Sequence, residues 1–145
     1  MPFQFPLAAV LLVRENAEKR EERALQKIQL EIAHITRQIE ELNAEIVNAQ
    51  QAREEAMQQL IPAFQLHDYL RRSQAVEETK RTLLHRLHVM RPESERQMKA
   101  YQAAHRDREA LTHMLEEQRE AYEREQARNQ QKQLDDLFMA RRHRS

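Results

Sequence analysis

Apolar residues recur alternately every three and four positions along one stretch of the chain, and this spacing constrains the fold more than any other feature. The stretch has one charged exception, Arg53. Such spacing places the apolar side chains on one stripe of a helix and is typical of a coiled-coil seam, which must be covered by another helix. The apolar positions are Leu25, Ile28, Ile32, Ile35, Ile39, Leu42, Ile46, Ala49, Ala56 and Leu60.

The composition favours long helices joined by few turns. None of the 145 residues is glycine, 33% are charged and 5% are aromatic. Glycine usually supplies the positive φ angle that turns and helix ends require, so its absence predicts few reversals of the chain. The chain also lacks cysteine, which excludes disulfides and thiolate metal sites. We therefore expect an all-α protein without a thick globular core.

Two prolines divide the apolar pattern. Pro62 ends the first stripe, because proline cannot donate a backbone hydrogen bond and disfavours helical geometry in the residue before it. A second stripe runs over residues 66–90 and a third over residues 101–122. Pro92 lies between these two stripes, where we expect it either to kink the second helix or to divide it.

A reversal at Pro62 would give each helix the other as its partner. Residues 1–62 carry 7 basic and 10 acidic side chains, whereas residues 63–145 carry 17 and 14, so the two arms attract each other. The sequence thus predicts a long antiparallel two-helix coiled-coil hairpin in a single domain. Its expected parts are helix 1 over residues 7–60, a turn over 61–64 and helix 2 over 65–140.

The unequal lengths of the two arms predict what lies at each end of the hairpin. Folding at Pro62 would place residue i beside about residue 125 minus i, which sets Leu42 beside Leu83. About the last 20 residues would then extend past the amino terminus. The apolar start of the chain and the carboxyl-terminal helix are therefore expected at the same end.

The apolar run over residues 5–13 covers more than one face of a helix. It lacks a preceding basic segment and a following A-x-A-like site, and it is far shorter than the roughly 20 residues that span a membrane. We expect neither a secretion signal nor a membrane anchor. Val10, Val13, Ala17 and Ala24 continue the stripe in a phase displaced by one residue, which predicts a stutter in the coiled coil.

Several functional classes are disfavoured by the sequence. A formal net charge of zero argues against general nucleic-acid binding. The missing glycine excludes a Gly-rich phosphate loop, and no Ser/His/Asp or Cys/His arrangement is recognisable. His85 and His88 lie one helical turn apart, but no carboxylate at a matching offset completes a metal site. We expect a non-enzymatic protein that needs no cofactor and no metal.

Three segments occur in a characteristic order: FQFPLAAVLLVR at residues 3–14, HDYLRRSQAVEE at residues 67–78 and QKQLDDLFMARR at residues 131–142. Together they resemble the FliJ family, the stalk proteins of the bacterial flagellar type III export apparatus. The resemblance covers nearly the whole chain. It implies a fold similar to the central stalk of rotary ATPases.

The resemblance also implies a function and its partners. The chain would be a non-enzymatic stalk that binds the hexameric export ATPase and couples it to the cytoplasmic domain of the export gate and to export chaperones. It would lie in the cytoplasm, peripherally associated with the inner membrane. The alternative is an export chaperone or a generic coiled-coil scaffold, including the stalk of a virulence-type secretion system.

Two sets of residues receive roles from the resemblance. The chain ends would form a tip that faces the ATPase, and part of the second helix would contact the export gate. The alternatives are packing within the hairpin for the amino-terminal and gate residues, and a frayed tail for the carboxyl-terminal ones. The tip residues are Leu7, Val10, Leu11, Arg14, Leu134, Leu137, Phe138 and Arg141, and the gate residues are Tyr69, Val76 and Leu83.

Overall fold

The computed structural model describes residues 2–59 and 61–144, which form two long helices. Helix α1 covers Ala8–Met57 and helix α2 covers Ala63–Arg144. No strand occurs among the described residues, and the predicted all-α class is confirmed. Leu60, expected at the end of the first stripe, lies outside the described residues.

The connection between the helices lies next to Pro62. The backbone N–H groups of Gln58 and Gln59 donate to the carbonyl oxygens of Glu54 and Ala56, at 3.3 and 3.2 Å, and so close the last turn of α1. Pro62 directly precedes α2, where its missing N–H costs no helical hydrogen bond. No described residue, including Gln58, Gln59 and Ile61 beside this connection, has the positive φ angle that glycine would favour.

Helix α2 continues through Pro92. Met90, Ser94, Gln97 and Tyr101 are each buried or half-buried, so the second and third stripes of the sequence form one heptad run in a single phase. Pro92 is exposed and occupies an outward heptad position. Proline at that position leaves its unpaired helical carbonyl on the side of the helix that water can reach, and the seam is not interrupted.

The chain divides into two compact units. Unit 1 comprises residues 1–20 and 101–145, and unit 2 comprises residues 21–100. Both chain ends therefore belong to unit 1. Helices α1 and α2 each extend into both units without a break. The expected single domain over residues 1–145 stays a prediction.

Unit 2 contains a small apolar core built from both helices. Ile35 is only 2% exposed and packs with Ile39, Leu87 and Met90. Leu83 packs against the same cluster, about one helical turn away from the expected pairing with Leu42. Ile28 and Ile32 complete the layer around this cluster, and Leu25 is also buried. The seam predicted from residue 25 onward is therefore the face of α1 that meets α2.

Polar contacts in unit 2 fix the antiparallel direction of the two segments. The guanidinium of Arg86 donates to the carboxylate of Glu31 at 3.3 Å. The side-chain amide of Gln97 donates both to the carboxylate and to the backbone carbonyl of Glu21. The partner with the higher residue number in α1 contacts the residue with the lower number in α2, as an antiparallel coiled coil requires.

Candidate functional site

The first residues of the chain pack onto α2 within unit 1. The ring of Phe3 lies 5.5 Å from the ring of Tyr122, measured between centroids, at an interplanar angle of 47°. The guanidinium carbon of Arg119 lies 5.9 Å from the centre of the same ring. These aromatic and cation–π contacts hold the non-helical segment before α1 against the second helix.

The amino-terminal turns of α1 do not follow the predicted stutter. Val10 and Val13 are exposed, Val13 by 63%, whereas Leu7 and Leu11 are half-buried. Leu11 and Glu18 precede Leu25 at intervals of seven, so the heptad seam keeps a single phase. The predicted displacement is wrong at Val10 and Val13, which are exposed, whereas Ala17 and Ala24, the other two residues of that stripe, are half-buried.

Glu18 forms a compact polar cluster with side chains of α2. Its side chain is 15% exposed, and it accepts hydrogen bonds from Arg108 Nε at 2.5 Å and from a second Arg108 nitrogen at 3.3 Å. His105 Nδ1 lies 3.0 Å from the same carboxylate. Arg108 also donates to Thr112 Oγ1 at 3.4 Å. The charged groups are therefore paired within the seam, as partly buried ions require.

The cluster alters the ionisation of both charged partners. The hydrogen bond from Arg108 holds the pKa of Glu18 below its usual value, with a smaller lowering from His105, while partial burial acts in the opposite direction. The hydrogen bond to Glu18 raises the pKa of Arg108. Each charge stabilises the other, so the pair stays ionised near neutral pH.

We expect this pair to contribute a pH-dependent part of stability. A carboxyl whose pKa is lowered in the folded state stabilises the fold above its unfolded pKa, and that contribution is lost as the pH falls through the lowered pKa. The thermal midpoint, followed by circular dichroism, should therefore fall more steeply with acid in the natural protein than in Glu18→Gln.

Substitution of an exposed glutamate provides the control. Glu22→Gln removes a carboxylate four residues away on the same helix, at an exposed position. It should retain the acid dependence of the natural protein. Equal acid dependence in Glu18→Gln and the natural protein would contradict the assignment. The ionisable groups facing or flanking the pair, His105, Glu109 and Glu15, are unchanged in both variants.

The predicted amino-terminal tip residues separate into two groups. Leu7 and Leu11 are half-buried on the seam side, and Val10 is exposed. Arg14 donates to the carboxylate of Asp107 at 3.2 Å, an exposed ion pair within unit 1. Leu12, which the sequence interpretation did not select, is 57% exposed and adds to the outward apolar surface.

The carboxyl-terminal tip residues lie on the outward face of α2. Leu134, Leu137 and Phe138 are exposed, Phe138 by 67%, and with Asp135 and Arg141 they line one shallow groove. Counted in heptads from Leu115 and Tyr122, these three apolar residues fall opposite the seam. They are therefore not a continuation of the surface that packs on α1. Met139, also exposed, was missed by the sequence interpretation.

The predicted gate residues are all half-buried on the seam side of unit 2. Leu83 packs on the apolar core, and Tyr69 lines a small cavity with Ile46 and Arg53. Val76 lies one heptad after Tyr69 and is half-buried. The exposed large apolar side chains in and beside this segment are instead Phe64, Leu70 and Leu84. None of these was selected from the sequence, and their exposure distinguishes them from the half-buried Tyr69, Val76 and Leu83.

The structure offers few elements of a chemical site. Over residues 2–59 and 61–144, no group of three or more histidine, cysteine, aspartate or glutamate side chains is placed to hold a metal ion. Within this part of the chain, no stretch of α1 or α2 is apolar and long enough to cross a bilayer. His85 and His88 are both exposed. What the arrangement provides is an apolar outer surface at both chain ends.

Comparison with known proteins identifies the family of the chain. A family model described as "Flagellar FliJ protein" matches residues 3–145. No curated protein and no solved structure matches the chain significantly. The matched range contains all three segments that carry the resemblance and both helices. The chain therefore belongs to the FliJ family, a non-catalytic family of flagellar biogenesis and protein export.

Proposed function

We propose that this chain is a stalk of the flagellar type III export apparatus that binds the hexameric export ATPase through its two chain ends. The observation that carries the proposal is the outward apolar face formed by Leu134, Leu137 and Phe138. Exposed apolar patches of this kind mark interaction sites in proteins that are otherwise highly charged. Both chain ends belong to unit 1, so one partner can engage both.

At the amino-terminal end of the tip, the exposed residues form the contact surface. Val10, Leu12 and Val13 present apolar area to a partner, whereas Leu7 and Leu11 support them from the seam side. Arg141 lines the groove of the carboxyl-terminal group and adds positive charge at its edge, whereas Arg14 beside the amino-terminal group is paired with Asp107. This division gives the tip a solvent-facing contact layer and a supporting layer beneath it.

Coupling of the ATPase to the export gate follows if the tip binds some conformations of the ATPase subunits more tightly than others. A ligand shifts a conformational equilibrium only by its difference in affinity between the states. A tip with one apolar face on α2 and another on α1 is asymmetric and provides such differences around a ring of subunits. The export gate and the export chaperones would bind the remaining surface, with Tyr69, Val76 and Leu83 as the gate contact supported by the neighbouring exposed Phe64 and Leu70.

Stimulation of the ATPase tests the proposal directly. The purified chain, added to the purified export ATPase without any exported substrate, is expected to raise the rate of ATP hydrolysis. Normal binding without any stimulation would contradict the stalk function. The alternative is an export chaperone or scaffold. It would leave the basal rate of ATP hydrolysis unchanged and would instead bind exported subunits through its apolar residues.

Location provides a second readout. A stalk that joins the ATPase to the gate is expected at the cytoplasmic side of the inner membrane, and it should be recovered with membranes only while the export apparatus is present. Recovery with membranes from cells that lack the apparatus would contradict that location.

A further inference from the structure

A charged side chain occupies an apolar position of the coiled-coil seam in unit 1. Glu18 lies at intervals of seven from Leu11 and Leu25, and its side chain is 15% exposed. An apolar residue at this position would pack without needing partners. A partly buried carboxylate is tolerated only where hydrogen-bond donors surround it, so the facing helix must supply such donors at this position.

The facing segment of α2 supplies those donors. Arg108 is itself a seam residue, half-buried and in phase with Tyr101 and Leu115. It donates twice to Glu18, and His105 approaches the same carboxylate. Thr112 accepts another hydrogen bond from Arg108 and donates its own hydroxyl to the Arg108 carbonyl. Both charges therefore have hydrogen-bond partners in this pairing.

Other pairings of the same helices lack this match. A slip of α2 by one heptad in either direction would replace Arg108 by Tyr101 or Leu115 opposite Glu18. A parallel pairing of α1 with the α1 helix of a second copy would place Glu18 against another Glu18. The apolar seam of residues 25–46 contains no charged position, so it adds no charge complementarity that would select among these arrangements.

We propose that Glu18 and Arg108 form a register lock, which selects the antiparallel pairing of α1 with α2 of the same chain in one register. Its function is specificity and not net stability, since a buried ion pair often stabilises no more than apolar residues of similar volume. Single polar pairs at seam positions are known to set register and oligomeric state in coiled coils. This inference concerns how the chain pairs with itself and holds whatever the chain binds.

Disulfide trapping measures the register, and the chain contains no cysteine that could interfere. The pair Leu11→Cys with Leu111→Cys reports the observed register, because these seam positions flank the contacts of Arg14 and Glu18. The pair Leu11→Cys with Ala104→Cys reports a slip of one heptad. In the natural background, the first pair should cross-link within one chain and the second should not.

The double substitution Glu18→Leu with Arg108→Leu removes the lock and keeps an apolar seam. We expect helicity to be retained, while the ratio of native to slipped cross-linking falls by about tenfold or more and dimers appear in sedimentation. A helical double variant that keeps the native cross-link alone and shows no dimer would overturn the proposal.

A charge exchange keeps the test decisive if the leucine variant fails to fold. Glu18→Arg alone should lose the native cross-link, since it faces Arg108 with a like charge. Glu18→Arg combined with Arg108→Glu should recover it. Failure of the exchanged pair to recover the native cross-link would also overturn the proposal, because a lock depends on complementarity and not on which helix carries which charge.

Discussion

Replacing Leu137 and Phe138 by glutamate is expected to abolish stimulation of the export ATPase while leaving the helical content of the chain unchanged. Both side chains are exposed and opposite the seam, so no packing within the chain is lost. A carboxylate brought into a desolvated apolar contact loses several kcal/mol of binding free energy. Two such charges would reduce binding at the tip by several orders of magnitude. Steady-state ATP hydrolysis as a function of added variant measures the effect.

A matched variant separates the apolar contact from the added charge. Asn129→Glu with Lys132→Gln lowers the net charge by the same two units at exposed positions of the same helix, in heptad phase with Tyr122 and Leu111 and therefore away from Leu137 and Phe138. It should stimulate nearly as well as the natural chain. Leu11→Glu is unsuitable for this purpose, because Leu11 is half-buried at the seam and its substitution would also disturb folding. Full stimulation by the Leu137 and Phe138 variant would remove the outward face from the proposed ATPase contact.

Truncating Ile35 to alanine is expected to lower the free energy of unfolding by about 2 to 5 kcal/mol. Ile35 is the most deeply buried side chain of the described residues and lies at the centre of the core of unit 2. The truncation removes its methyl groups and leaves a cavity between two helices that have few other buried contacts. Urea unfolding followed by circular dichroism measures the change.

Leu30→Ala provides the comparison on the same helix. Leu30 is 72% exposed, so its truncation removes little packing and slightly improves helix propensity. Its effect on stability should stay within about 0.5 kcal/mol. Equal destabilisation by the two variants would mean that the cluster around Ile35 does not form the core in solution.

The parts of the fold that could be predicted are those where polarity and burial agree. The seam from Leu25 to Ile46 was recognisable because its buried positions are apolar and evenly spaced, and the break at Pro62 follows from the chemistry of proline. The continuity of α2 at Pro92 could not be predicted from that chemistry alone. It depends on the outward position of Pro92, which becomes visible only when both flanking stripes are counted in one phase.

The tip was harder to predict because polarity and burial disagree there. Val10 and Val13 are apolar but exposed, whereas Glu18 is charged and lies at the seam. Hydrophobic periodicity assigns both kinds of residue to the wrong face. Counting heptads backwards from Leu25 without regard to polarity would have placed Glu18 at the seam, and its compatibility with Arg108 would then have been the signal to seek.

The exposure of α2 beyond Gln126 has a consequence for the affinity of partner binding. Every described residue from 127 to 144 is exposed, so this helical segment is stabilised by intrinsic propensity and local pairs such as Gln131 with Asp135. Most of the stability of helices in proteins comes from tertiary packing, which this segment lacks. The segment should therefore show the fastest amide hydrogen exchange in α2, and a partner that requires it folded binds with an apparent affinity reduced by its helical fraction. Substitutions that raise that fraction without touching Leu134, Leu137 or Phe138 would tighten binding through pre-ordering alone.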